Sequence, residues 1–359
     1  MLLAVVDTHF PWILSGFRYW ENFEFYKIDK NILFFSVHKM NDDFPAQVHP
    51  LTLIREYSIT DIYCVFLNHT LGLLDYPGKI PGKQNYGLSE LIKERNISIH
   101  TTIYPGGGYE NNSLDQALKA LKFLKGHPSV KSVFTNLSEV QKIIPKAHWI
   151  AGIINTGFYK YRHRAKSNKL QLLFSAFHRK EKGFNYLAKA LNLLDPSKYH
   201  LHIVGDWESE LHLVKHHNYT YYGTLPPETL REVYYNCHVI IAPNYKGCGP
   251  INNRFIPIYR KYVTLDGFPT TTAVDAMSTG CCLISTNPRK DYSALKPEED
   301  YWEIKEKSAN HIQKAIEYCY DNQDKMFLMA ERGHKKILEY YDAKKNVRFK
   351  YNVIKGKNS

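Results

Sequence analysis

Short apolar runs of strand length recur along the first half of the chain, separated by polar, turn-rich segments. Residues 2–6 (LLAVV) end in Asp7 and give way to a loop containing Ser15 and Gly16, the layout of a strand that feeds a ligand loop. Further runs at 32–37, 62–67 and 97–104 read as strands, the last stopped by Pro105-Gly106-Gly107-Gly108. Ser113 suits the N-cap of a helix in which Leu114, Ala117, Leu118 and Leu121 share one face at spacings of three and four. Two more strands are predicted at 130–135 and 149–154.

The second half repeats the alternation more regularly. Residues 170–177 read as a strand, 184–194 as a helix, and 200–204 as a strand ending at Gly205-Asp206. Pro227 fits the first turn of a helix that carries Leu230, Val233, Tyr234 and Cys237 on one side, and 239–242 is the strand after it. A helix from about 271 to 279, a strand at 282–285 and a helix aligning Ile312, Ala315, Ile316 and Cys319 follow. The segment 244–265 breaks the pattern: Gly247, Gly249, Pro250 and Pro257 predict an irregular excursion, either a lid or a plain insertion.

Strands alternating with helices imply an α/β fold with parallel sheets covered on both faces, because a parallel connection needs a crossover of helical length. A chain of 359 residues exceeds the roughly 250 at which a single core stops growing, so two such domains are expected. The expected division is 1–157 and 170–340, joined by a basic, tyrosine-rich linker at 158–169 and followed by a basic segment at 341–359. Ligands of open parallel sheets sit beyond the carboxyl ends of the strands, which places the expected cleft between the domains.

Composition narrows the class of protein. Apolar residues make up 44% and aromatic residues 14%, which excludes disorder and supplies surfaces for stacking on ring-shaped ligands. No apolar run approaches the roughly 20 residues needed to cross a bilayer, and no basic n-region precedes the opening run, so a cytoplasmic location is expected. The six cysteines form no C-x-x-C pair and read as reduced core thiols. A formal charge of +12 points to an acidic partner: nucleotide phosphates, an anionic membrane surface or nucleic acid. Much of the excess lies in two clusters, Lys160, Arg162, Arg164, Lys166 and Lys169, and then Lys344, Lys345, Arg348, Lys350, Lys355 and Lys357, each of which also reads as a plain solvated face. The basic residues are not interleaved with aromatics in any nucleic-acid motif, so no nucleic acid is expected.

Five motifs in order carry a resemblance. They are 172–183 (LLFSAFHRKEKG), Ile203-Val204-Gly205-Asp206, 221–225 (YYGTL), Ile241-Ala242-Pro243-Asn244, and Asp266-Gly267-Phe268-Pro269 through Asp275-Ala276-Met277-Ser278-Thr279-Gly280. Their content and order resemble the carboxyl-terminal domain of family 4 glycosyltransferases, and a series of five is far more specific than any one motif. The resemblance covers the second domain well and the first loosely. It implies a GT-B fold, two Rossmann-like domains with parallel sheets facing across a cleft. It also implies a retaining glycosyltransferase that moves a sugar from a UDP- or GDP-sugar to a hydroxyl acceptor such as a glycan or lipid-linked glycan. In the family the final helix crosses back to the first domain.

Site residues follow from the resemblance. Lys182 matches the family's phosphate-binding lysine; the family's arginine position is Phe177 here, and Arg179 substitutes from two residues on. Of the two acids that bind the donor in the family, Asp275 takes the second place, which usually contacts the ribose. Asp266 takes the first, which contacts the sugar, with one residue more between the pair than the family has. Gly205 and Asp206 end a strand at the nucleotide, and Thr224 and Leu225 belong to the loop whose backbone reads the base. Gly267, Phe268, Pro269, Thr270 and Thr271 lead into a helix whose first-turn N–H groups suit a diphosphate or the donor's hydroxyls. His100 lies inside its strand and reads as a core residue. No D-x-D occurs, so cations and a helix start are expected to stabilise the leaving diphosphate without a metal.

Other readings stay open on the sequence alone. A sugar-nucleotide epimerase or a sugar phosphorylase shares the fold, and a non-catalytic or nucleic-acid-binding protein would explain the charge. The basic segments also suit peripheral contact with an anionic membrane that carries the acceptor.

Overall fold

The computed structural model describes residues 1–7, 16–36, 54–80, 83–109, 114–253, 256–264 and 266–357. They form two compact units, one of Met1–Ile153 with Ala343–Ser359 and one of Ile154–Asp342. Residues 158–169 therefore fall inside the second unit, and the basic C-terminal segment belongs to the first.

In the first unit the chain runs β1 (Leu3–Asp7), α1 (Gly16–Ile28), β2 (Leu33–Ser36), β3 (Asp61–Cys64), α2 (Leu67–Leu73), α3 (Ser89–Glu94), β4 (Ser98–Ile103), α4 (Leu114–Gly126), β5 (Val130–Thr135), α5 (Ser138–Ile143) and β6 (His148–Trp149). The strands make one sheet in the order β2-β1-β3-β4-β5-β6, with every neighbouring pair parallel. Strand order reverses between β1 and β3. The last strand is shorter than the apolar run at 149–154 predicts, because Ile150–Ile154 leaves the sheet after its first bonds.

A larger departure is α1, where the sequence reads as loop. Its buried positions include Arg18, Glu21, Asn22 and Glu24 beside Phe25, so the helix has no apolar stripe. These polar groups are paired in part with the strands, and Glu21 Oε2 and Asn22 Oδ1 stay without a hydrogen-bond partner among the described residues. Arg18 Nη1 lies 3.2 Å from Asp7 Oδ1, and Asn22 Nδ2 donates to Asp7 Oδ2 at 3.1 Å. The final helix of the chain (Ala343–Ile354) completes the arrangement. The ammonium of Lys350, wholly buried, sits 2.5 Å from Glu21 Oε1 and donates to the Tyr63 hydroxyl at 2.8 Å and to Thr102 Oγ1 at 2.9 Å. His100 is a core residue, with Nδ1 2.7 Å from Ser132 Oγ and Nε2 3.1 Å from Asp61 Oδ1.

In the second unit the chain runs β7 (Leu170–Ser175), a 3-10 turn (Lys180–Lys182), α6 (Phe184–Leu191), β8 (Tyr199–Val204), β9 (Tyr219–Tyr221), α7 (Pro227–Asn236), β10 (Val239–Ala242), β11 (Gly247–Asn253), β12 (Ile256–Thr264), α8 (Thr271–Ser278), β13 (Cys282–Ser285), β14 (Trp302–Glu303), α9 (Ala309–Asp321) and α10 (Gln323–Tyr340); the final helix is α11. Its six-stranded sheet has the order β14-β13-β10-β7-β8-β9, again parallel throughout. One face packs Leu172, Phe174, Leu201, Ile203, Val239 and Ile241 against Phe184, Leu187, Ile312 and Ile316 from the flanking helices.

The segment expected to be irregular at 244–265 is instead an antiparallel ribbon of β11 and β12. Its prolines do not prevent pairing. Pro250 falls where the register shifts between Gly249 and Ile251, and a two-stranded ribbon has only edges, so a missing ladder N–H is tolerated.

Neither basic cluster is a uniformly solvated face. Arg164 is buried and gives its guanidinium to the carbonyls of Cys237 at 2.6 Å, Arg162 at 2.7 Å and Tyr234 at 2.8 Å. Lys350 is the corresponding exception in the C-terminal cluster. The described cysteines Cys64, Cys237, Cys281, Cys282 and Cys319 are buried and free.

Candidate active site

Strand order in the second sheet reverses at β7 and β10: the chain moves outward from β7 through β8 to β9, then returns to the other side of β7 to lay down β10 and β13. A crevice opens beyond the carboxyl ends of strands at such a reversal, and ligands of open parallel sheets bind there. Here those ends are Ser175–Ala176 and Ala242–Asn244. Three chain segments meet at this point.

The first is the turn after β7. Residues Lys180–Lys182 form one 3-10 turn, and Gly183, at φ 77°, reverses the chain into α6. A Cβ at Gly183 would stand 2.2 Å from the Pro243 carbonyl oxygen, so glycine is required for this turn to approach the end of β10. That approach delivers both cations of the motif. Arg179 Nη2 lies 2.6 Å from Asp266 Oδ1, and Lys182 Nζ lies 2.8 Å from Asp266 Oδ2.

The second is the end of β10. Asn244, buried, donates Nδ2 to Asp266 Oδ2 at 2.7 Å, while its carbonyl accepts from the Thr286 hydroxyl beyond β13. The third is the turn into α8. Arg289 Nε donates to the Asp266 carbonyl at 2.9 Å, the Phe268–Pro269 peptide is cis, and Thr272 Oγ1 donates to the Ser175 carbonyl at 2.9 Å. At the start of α8 the N–H groups of Thr271, Thr272 and Ala273 have no intrahelical acceptor, and Thr270 makes no side-chain cap.

Asp266, Arg179 and Lys182 are thus brought together, although Arg179 stands two residues from the family's arginine position. Phe177, which occupies that position, is exposed. Burial opposes ionisation of the Asp266 carboxyl, but the two cations outweigh it and hold the carboxyl well below its usual range. Burial likewise lowers Lys182, against the opposing pull of Asp266. The site is a pair of cations loaded onto one carboxylate at the mouth of a sheet, next to an uncapped helix start.

Asp275 does not join this cluster. It lies within α8, buried, and its Oδ1 has no hydrogen-bond partner among the described residues. Burial pushes its carboxyl well above the usual range. Its electrostatic neighbours are Tyr159 and Tyr234, and the Tyr234 hydroxyl is also buried.

The remaining predicted positions are dispersed. Gly205 ends β8, and its N–H donates to the Gly223 carbonyl at 2.8 Å, which ties it to the loop that holds the exposed Thr224 and half-buried Leu225. Asp206 is exposed. Gly267, Phe268, Pro269, Thr270 and Thr271 form the turn into α8. Gly16 opens α1 in the first unit, and Ser15 lies outside the described residues, as does the N-cap candidate Ser113. Sequence reasoning missed Arg289 and assigned no role to Asn244, although Asn244 closes the motif Ile241-Ala242-Pro243-Asn244.

Among the described residues no group of three or more His, Cys, Asp or Glu is placed to hold a metal ion. No described helix is long and apolar enough to cross a membrane.

Comparison with known proteins places this arrangement. No curated protein matches the sequence. Sucrose-phosphate synthase from Thermosynechococcus elongatus has a similar fold, with a TM-score of 0.72 at 12% identity over 99% of this chain and 98% of its own. The Anabaena protein HepE, solved in complex with UDP-glucose, superposes with a TM-score of 0.66 at 11% identity over 98% of this chain and 99% of its own. A glycosyltransferase from Rickettsia africae gives 0.66 at 15% identity over 100% and 99%. These likenesses show the α/β, two-domain GT-B fold. The family model described as "Glycosyl transferases group 1" matches residues 156–336, half of the chain, including every part of the cation and carboxylate cluster. The chain therefore belongs to the glycosyl transferases group 1 family and is a glycosyltransferase.

Proposed function

We propose that the protein transfers a sugar from a nucleoside diphosphate sugar to a hydroxyl acceptor, with retention of anomeric configuration. The observation that carries this reading is the convergence of Arg179 and Lys182 on one carboxylate at the strand-order reversal, beside the uncapped start of α8. A diphosphate leaving group concentrates negative charge as the glycosidic bond breaks, and two cations with free helix N–H groups are what stabilises it. Lys182 and Arg179 take the diphosphate, with the N–H groups of Thr271 and Thr272 beside them. Asp266, released by the cations, accepts from a hydroxyl of the transferred sugar.

Asp275 supports the nucleotide end of the same reading. A buried carboxyl with an unpaired oxygen is costly unless a ligand completes it, and the vicinal hydroxyls of a ribose would do so. The loop at Gly223–Leu225, tied to Gly205, receives the base. HepE was solved with UDP-glucose, which makes UDP-sugars the first donors to try.

Retention follows a balanced exchange on one face of the sugar. The bond from the anomeric carbon to the diphosphate oxygen breaks and leaves its electron pair on that oxygen. The acceptor oxygen bonds to the same face, and its proton passes to the departing phosphate. Lys182 and Arg179 hold the charge that develops, and no protein nucleophile is needed. The acceptor is a glycan or lipid-linked glycan, and the location cytoplasmic, with peripheral contact through the exposed basic side chains near the C-terminus. A thermal-shift panel of UDP-, GDP- and ADP-sugars selects the donor. NMR of the product then reads the anomer: the donor's configuration in the product is expected, and an inverted product overturns the retaining assignment. Turnover without acceptor to an epimeric sugar nucleotide would replace transfer by epimerisation.

A further inference from the structure

Asp266 occupies the groups that a diphosphate needs. Its carboxylate accepts from Arg179 Nη2 at 2.6 Å, Lys182 Nζ at 2.8 Å and Asn244 Nδ2 at 2.7 Å. Among the described residues, the charged groups that act on it are Arg179, Lys182 and Glu181 from the turn after β7, with Arg289 from beyond β13. Three cations and two acids leave about one positive charge for an incoming anion.

The two ligands of a transfer reaction meet this balance differently. A sugar nucleotide carries two negative charges on its diphosphate. The bare nucleoside diphosphate carries a third once its terminal phosphate loses its second proton, near pH ~6. That third charge lies at the end where the sugar was. It would face the Asp266 carboxylate, whose cations the diphosphate has already drawn away. An intact donor compensates this loss, because a sugar hydroxyl can donate to the carboxylate; the bare product has no such donor and leaves the carboxylate unpaired. Like charge and an unmet acceptor therefore act together against the product.

We propose that Asp266 is a specificity-determining carboxylate that favours the intact sugar nucleotide over the bare nucleoside diphosphate and so drives product out after transfer. The inference rests on the donor reading above. Its test separates the two. Binding of UDP and UDP-glucose, and in parallel GDP and GDP-mannose, is measured by calorimetry for the wild type, Asp266→Asn, Asp266→Ser and Lys182→Gln, at pH 8.0 and 5.5.

Asp266→Asn is expected to bind the nucleoside diphosphate at least ~10-fold more tightly than the wild type at pH 8.0, with no gain for the sugar nucleotide. The gain should shrink at pH 5.5, where the terminal phosphate holds its proton. A carboxylate that merely shaped the turn would not produce this dependence on the ligand's own ionisation. Asp266→Ser repeats the comparison should the asparagine variant fail to fold, which melting curves reveal. Unchanged or weaker diphosphate binding in the folded variants, with tight binding by the wild type and loss in Lys182→Gln, overturns the role of Asp266 and leaves the donor reading standing. Failure of the wild type to bind either pair removes the donor reading, and the inference with it.

Discussion

Replacing Lys350 by methionine tests the account of charge inside the first unit. Its Nζ is fully buried, 2.5 Å from Glu21 Oε1, and it also donates to the Tyr63 hydroxyl and Thr102 Oγ1. Methionine is close in length and volume, so little cavity forms and the loss is chiefly electrostatic. Removing one partner of a buried ion pair costs about 3–5 kcal/mol, because the charge left behind has no counter-ion. Glu21 is exposed to that cost: among the described residues Oε2 lacks a hydrogen-bond partner, only the Tyr63 hydroxyl would still donate to Oε1, and Arg18 is the cation left nearby. The retained bond offsets about 1 kcal/mol, which leaves an expected loss of roughly 3 kcal/mol. For a unit of this size each kcal/mol moves the melting point by roughly 2–4 °C, so a drop of about 6–12 °C is expected. Calorimetry should show it in the transition of the unit that contains α1 and α11, with the other transition unmoved. Lys350→Met combined with Glu21→Leu removes both charges and should melt above the single variant. A single variant within 2 °C of the wild type would refute the reasoning, as would a double variant that melts below it.

Three further outcomes are expected. Lys182→Gln removes a charge that at about 5 Å from a phosphate would be worth roughly 3 kcal/mol at an effective dielectric near 20, so UDP affinity by calorimetry should fall about 100-fold; a fall under fivefold contradicts the phosphate role. Burial, together with His200 and His238, lowers His202 from 6.5 to about 4, so the fold keeps its full stability above pH 6.5 and loses it as pH falls toward 4. Denaturant titrations should show a loss of about 2–3 kcal/mol across that window, reduced in His202→Gln. Asp275→Asn removes an acid whose raised ionisation penalises the fold at any pH above about 3.9, so at pH 7 the variant should melt at or above the wild type while nucleotide binding weakens; a marked loss of stability would show that the carboxylate is paired.

The second sheet was legible where its strands are near-continuous apolar runs. Residues 239–242 and 282–285 lie at the centre of that sheet, and in each the apolar run and the strand have the same ends. Other runs overshoot: 149–154 is apolar, yet only Trp149 of it falls in the strand, because Ile150, Ile153 and Ile154 are buried by packing outside the ladder. The cation cluster was half legible. Lys182 and Gly183 could be read from the resemblance to the family's phosphate-binding lysine at the turn into a helix. Asn244 and Arg289 could not, because they reach Asp266 from two other strand ends across gaps of 22 and 23 residues.

Two further features that escaped the sequence share a cause, the burial of a charge by another part of the chain. In α1 the buried positions are Arg18, Glu21, Asn22, Glu24 and Phe25, so its inward face reads as largely polar, while Tyr26 is exposed. Periodicity assumes that the core is apolar, and a helix whose inner face is paired to Asp7 and Lys350 inverts that assumption. Arg164 shows the same effect inside the family motif. A Cβ at Gly280 would stand 2.6 Å from Arg164 Nη1, so this glycine, which sets the register of the motif, leaves room for a buried guanidinium from a segment 115 residues upstream of Thr279, the neighbour it bonds. Part of what made the motif recognisable is therefore packing within the second unit.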